Sequence, residues 1–276
     1  MAIATATEDE AVASPTRAKV SDFLTRNAEL VITPAALLLF GLGLALLLSN
    51  VELDFTETRQ LNWDTTSRRI WETVELAAAS TVLVLLIAIP AGILLTRPGV
   101  RKVTPAVLSS ASIGQAIPAY GLFILFFAWM GQGFWTAVWA LTVFSILPVL
   151  RNTMIGVEQV DAAVIEAGRG MGMTKLQALV RIELPLAVPV ILAGVRTALV
   201  INVGMATLAF LVGGGGLGET IFSGIQLSRN LTVVVGAATV AILALGIDWI
   251  AAIAERVLRP KGLRGRTSPT DTANPI

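Results

Sequence analysis

Few side chains in this sequence could do covalent or acid–base chemistry. The 276 residues contain no His and no Cys. That excludes histidine-based triads, HExxH zinc sites and most imidazole metal sites, and it excludes disulfides. Gly213-Gly214-Gly215-Gly216-Leu217-Gly218 matches G-x-G-x-x-G literally. A dinucleotide site needs that run between a strand and a helix. Here it follows a long apolar stretch, so it reads as a tight re-entrant or extracellular turn that uses φ > 0 and close backbone approach. No G-x-x-x-x-G-K-[ST] occurs, so the chain has no P-loop with which to hydrolyse ATP. We therefore expect no catalytic residue, no metal site and no cofactor. Two charges lie inside apolar runs, Arg196 and Asp248. An intramembrane cation is a functional candidate by default, and Arg196 could receive a substrate carboxylate. The competing reading is a structural contact between helices or the capping of carbonyls. Asp248, toward the inner end of its run, is expected to snorkel or to pair with a basic residue.

The elements that carry these residues are membrane spans. The chain is 55% apolar and 14% charged, against about a quarter charged in soluble domains. A bilayer core of roughly 30 Å needs about 20 apolar helical residues. Residues 31–49 and 76–95 hold no charge; 184–211 hold only Arg196 and 231–254 only Asp248. Residues 103–150 are also uncharged, and one helix of that length would be roughly 72 Å long. It must be two crossings, with Gly131-Gln132-Gly133 as the break. The expected fold is all-α and integral to the lipid bilayer, with six transmembrane helices.

Lys and Arg set the orientation. With the N-terminus inside, the inner segments hold Arg17, Lys19, Arg26, Arg97, Arg101, Lys102, Arg151, Arg169, Lys175, Arg181, Arg256, Arg259, Lys261, Arg264 and Arg266. The outer ones hold only Arg59, Arg68, Arg69 and Arg229. Both termini are therefore expected to be cytoplasmic, and this sorting leaves the net charge of +1 no bearing on nucleic acid. Residues 1–30 read as a flexible cytoplasmic lead without a signal-peptide core. Residues 31–49 read as a retained first span, 50–69 as an extracytoplasmic loop, and 256–276 as a basic, disordered tail. No internal repeat supports an inverted-repeat transporter.

The cytoplasmic stretch 151–185 is much longer than a connection between packed helices needs. Its pattern predicts two short helices. Asp161 caps one, Gly170 and Gly172 break it, and Thr174 caps a second that runs through Arg181. Leu176, Leu179, Val180 and Ile182 fall close to one face of the second helix. Pro185 opens the fifth span, where its missing N–H costs nothing. This pattern suits a surface hairpin at the membrane interface. It better suits a docking element joined rigidly to a span, which could turn a soluble partner's movement into tilting of helices.

Glu166-Ala167-Gly168, Gly172 and Ile182-x-Leu184-Pro185 resemble the EAA loop of ABC-importer permeases in every spacing, with Gly168 where that pattern has a second Ala. The resemblance covers roughly residues 70–255 as a type I (MetI-like) permease domain, with the first span as an addition. It implies that the loop is a coupling helix seated in a cleft of a separate ATPase subunit, with Glu166 as a coupling residue. It also implies a second permease copy or a homologous permease, an extracytoplasmic solute-binding protein, inward transport, and the cell membrane of a prokaryote. The chain itself would be a transport subunit and not an enzyme. The runs 146–173 and 183–225, and Gly114-Gln115-Ala116-Ile117-Pro118, resemble the glycine betaine/carnitine/choline (osmoprotectant) permeases.

That resemblance turns attention to a translocation path. Gln115, Pro118, Tyr120, Arg196 and Asn202 are candidates for lining it. The competing readings are a kink at Pro118 and interhelical hydrogen bonds for the two amides. A quaternary ammonium would want aromatic faces, and Tyr120, Phe123, Phe126, Phe127 and Trp129 cluster in the third span, although such a stripe is commonly lipid-facing or core. Alternatives are a permease of the same fold for an amino acid or a taurine-like solute, and an ion-coupled secondary transporter. The single intramembrane carboxylate, Asp248, disfavours the latter, and a scaffold without transport leaves the loop unexplained.

Overall fold

The computed structural model describes residues 28–258, and all regular structure among them is helical. The expected lead 1–30 and tail 256–276 lie outside the described residues, apart from 28–30 and 256–258, which are helical. The first helix, α1 (Ala28–Asn50), is apolar on every face, and none of its membrane window is buried. It packs along the last helix. The segment expected as an outer loop is mostly helical. Asp54 and Glu57 form a reciprocal capping box that starts α2 (Phe55–Gln60). Asn62 then accepts the Thr65 N–H at 2.7 Å to start α3 (Trp63–Leu95). The helix of the second span thus begins well before its apolar run at residue 76. Trp63, Trp71, Trp129 and Trp135 are exposed at this same end of the molecule, as an interfacial aromatic belt requires.

The third apolar run is not a straight crossing. α4 (Thr104–Ala116) and α5 (Ala119–Met130) meet at a bend of 100°. Pro118 lacks an N–H and disfavours helical backbone in the residue before it; Ile117 is extended, with φ −66° and ψ 130°. The kink at Pro118 is therefore a full break, and the described residues hold five helices long and apolar enough to cross a membrane plus this bent pair. Gly131 and Gly133 then turn the chain into α6 (Phe134–Glu158).

The centre of the bundle is α6, packed between α3 and α9 (Leu184–Met205). Leu76, Val138, Leu141, Ala206 and Val212 fill the core at one end, and Val84, Val149, Leu150 and Ala198 fill the middle. Lipid gives helices no hydrophobic reason to associate, so small residues that admit close packing decide the contacts. A Cβ on Gly194 would lie 2.6 Å from Asn152 Cβ and 2.9 Å from the Pro148 carbonyl. A 3-10 segment, Ala206–Val212, leads from α9 into the glycine run. Gly213, Gly215 and Gly216 take φ of 73°, 75° and 94°, the left-handed backbone that only glycine adopts freely. The run is the expected turn. Its amides face α3: Gly216 N–H donates to Glu72 Oε2 (2.8 Å) and Leu217 N–H to Thr73 Oγ1 (2.9 Å). α10 (Gly218–Gln226) and α11 (Asn230–Leu258) complete the described chain.

Candidate functional site

The stretch 151–185 lies at the end of the bundle opposite the glycine run, and its local chemistry explains its shape. Asp161 accepts the Ala163 N–H at 2.9 Å and starts α7 (Ala162–Gly170). The chain reverses at Gly172, whose φ is +90°. Thr174 and Gln177 then form a capping box for α8 (Lys175–Ala178): Gln177 N–H donates to Thr174 Oγ1 and Thr174 N–H to Gln177 Oε1 (2.9 Å). Both expected caps are present.

The second helix does not stop at Arg181. It passes through a π turn, Leu179–Glu183, and continues into α9, so that 175–212 is one membrane-length rod. Pro185 stands in the first turn of α9, as expected, one residue past the π turn's last hydrogen bond, Leu184 N–H to the Leu179 carbonyl. The wider i→i+5 turn absorbs the register change where proline removes a donor.

Gly168, Ile182 and the turn between them form one contact. A Cβ on Gly168 would collide with Ile182 Cδ1 and touch Met173 Sδ at 3.4 Å. The terminal methyl of Ile182 fills the space beside Gly168, and the two halves of the loop close on each other there. Glu166 and Ala167 are exposed on the outer side of α7. Glu166 borders a shallow hollow of about 470 Å³ with Arg169, Gly172, Met173 and Thr174. Beside it a groove of about 550 Å³ runs between α7 and α8, floored by Ile165, Leu176 and Leu179 and closed by Arg97 and Glu183. Val164, Met171, Leu176 and Val180 are exposed. An apolar patch of this kind among charges marks an interaction surface.

Glu183 and Arg97 escaped the reading of the sequence. Glu183 fills the unspecified position of Ile182-x-Leu184-Pro185 and is 5% exposed. Arg97, two residues past α3, donates Nη2 to Oε2 at 2.6 Å and Nη1 to Oε1 at 3.4 Å. A carboxylate inside an otherwise apolar anchor was the available signal.

The candidates for a path are dispersed. Pro118 and Tyr120 are exposed near the 100° bend. Gln115 Nε2 donates to the Phe144 carbonyl at 3.0 Å and so ties α4 to α6. Asn202 is fully buried and donates Nδ2 to Thr81 Oγ1 at 3.0 Å, joining α9 to α3. Arg196 meets Asp248 of α11 in a two-pronged pair, Nε to Oδ1 at 2.5 Å and Nη2 to Oδ2 at 2.7 Å. Asp248 thus pairs with a base, as expected, and the base is the intramembrane arginine. Among the five aromatics of the third run, Phe123 is in the core, while Tyr120, Phe127 and Trp129 are exposed.

The family described as "Binding-protein-dependent transport system inner membrane component" matches residues 88–260. The chain belongs to this family. The chain is similar to the glycine betaine/carnitine/choline transport system permease protein OpuCB of Bacillus subtilis, 40% identical over 194 residues, which are 70% of this chain and 88% of that one. It is also similar to the osmoprotectant import permease protein OsmY of Salmonella typhimurium, 39% identical over 217 residues, or 79% and 91%. Among solved structures, an inward-facing form of the MetNI methionine ABC transporter superimposes with a TM-score of 0.63 at 25% identity, covering 71% of this chain and 96% of that one. The MetI-like, all-helical architecture expected of the family is thus the architecture found, and the chain is a multi-pass permease of the ABC-importer class.

Proposed function

We propose that this chain is the translocating subunit of an importer for osmoprotectants such as glycine betaine, choline or carnitine, driven by a separate ATPase docked on residues 151–185. The observation that carries the reading is the exposed apolar hairpin, Met171 and Leu176 at its tip, continuous with a rod that spans the membrane. A soluble partner seated on that hairpin would have direct mechanical access to α9. Glu166, Ala167, Gly168, Gly172, Ile182, Leu184 and Pro185 are the coupling residues on this reading. The hairpin end faces the cytoplasm, where Arg97, Arg101, Lys102, Arg151, Arg169, Lys175 and Arg181 gather. The opposite face receives solute from a binding protein. A second copy, or a homologous permease, completes the pore. The solute class follows the named cargo of the relatives OpuCB and OsmY. A permease of the same fold for a methionine-like amino acid is the second reading, favoured by the MetNI superposition.

The test is uptake of radiolabelled glycine betaine, choline, carnitine and methionine by cells that carry the chain with its companion ATPase and binding protein. Glu166→Lys and Gly172→Asp should abolish ATP-dependent uptake at unchanged membrane levels. Undiminished uptake in both variants would sink the coupling assignment, and uptake of methionine alone would replace the solute class.

A further inference from the structure

We propose that Arg97 and Glu183 are positioning residues that clamp the foot of α3 to the foot of α9, so that movement delivered at the hairpin carries both helices together. The inference rests on the reading that an ATPase docks at the hairpin. It begins with where the rod 175–212 is weak. The π turn 179–183 has one wide turn of hydrogen bonds. Pro185 and Pro189 follow within two turns and supply no N–H. A force applied to α8 would therefore bend the rod at this joint before it tilted α9.

Glu183 closes the joint. Its carboxylate is buried, and both oxygens receive Arg97, a planar two-pronged contact that fixes orientation as well as distance. The arginine is itself held to α3, because its Nε donates to the Ile93 carbonyl at 3.3 Å. The same two helices are joined again at Asn202–Thr81, and the strand of chain leaving α9 is tied back to α3 at Gly216–Glu72. The ion pair is thus the hairpin-end member of a series of polar clasps along one helix pair. Burying the Glu183 carboxylate against a half-buried guanidinium contributes little net stability compared with apolar residues of similar volume. Fixing a joint that must transmit force accounts for their presence.

The test uses the full chain assembled with its companion ATPase and binding protein in lipid vesicles. Glu183→Gln and Arg97→Gln should retain ATP hydrolysis while solute moved per ATP falls about tenfold. The exchanged double variant, Arg97→Glu with Glu183→Arg, should recover a substantial part of that ratio. Wild-type ratios in both single variants would overturn the proposal. A second measurement decides the case in which a variant loses all activity. The sequence has no native cysteine, so spin labels at the exposed positions Leu94→Cys and Lys175→Cys report the distance between α3 and the hairpin. That distance should stay single and narrow through the ATP cycle, and should broaden with Glu183→Gln; an unchanged distribution in the variant would overturn the clamp. If the unmodified assembly shows no ATP-driven transport, the functional reading falls, and the label distances still decide the clamp.

Discussion

At the scale of single residues, the charge inside the membrane shows how chemistry and packing compete for one side chain. Arg196 lies midway along α9 and is held by Asp248 through two parallel hydrogen bonds. Such a fork uses the geometry that guanidinium and carboxylate share. A substrate carboxylate would have to compete with a carboxylate of the protein already in place, so we assign the pair to holding α9 against α11. Asp248→Asn should destabilise the detergent-solubilised protein by about 1–3 kcal/mol, because it weakens two charge-assisted hydrogen bonds of a partly buried pair. Arg196→Leu combined with Asp248→Leu should be close to neutral. Thermal unfolding followed by size-exclusion chromatography checks both, and a double variant as unstable as the single would refute the structural role.

At the scale of elements, the hairpin is where sequence and structure agree best and also where they part. Gly168→Ala should be tolerated, because the obstructing atom is the terminal Cδ1 of Ile182, which can rotate away. Gly168→Leu should pry α7 from the π turn and lower transport, with helical content unchanged by circular dichroism. Full activity in the leucine variant would show that this contact is dispensable. The caps at Asp161 and Thr174 were legible because capping is local: each side chain serves an amide two or three residues away. The π turn was not legible, since proline at residue 185 reads equally well as the start of a helix or as a defect absorbed within one. The partner of Glu183 was hidden for another reason. Arg97 is 86 positions away, and no local pattern announces a pairing over that distance. The bend at Pro118 was half legible: proline marks the place, but the angle is set by packing against α6.

At the scale of the whole molecule, α1 stands apart from the rest. It touches the bundle along α11 and buries none of its membrane window, whereas α3, α6 and α9 form a closed core. Removing residues 1–50 should therefore shift the Tm of the solubilised protein by no more than about 2–4 °C, the change that roughly 1 kcal/mol produces in a domain of this size. A larger loss would mean that α1 is part of the folding unit. The pair between α9 and α11 has a consequence in time as well as in space. Its members are separated by 52 positions. A ribosome adding about 5–20 residues per second makes the arginine roughly 3–10 s before the aspartate that receives it. Throughout that interval the nascent α9 lacks the Asp248 carboxylate. The clasp between the two helices closes only when α11 arrives. A polypeptide interrupted between them is therefore left without the contact that holds α9 against α11.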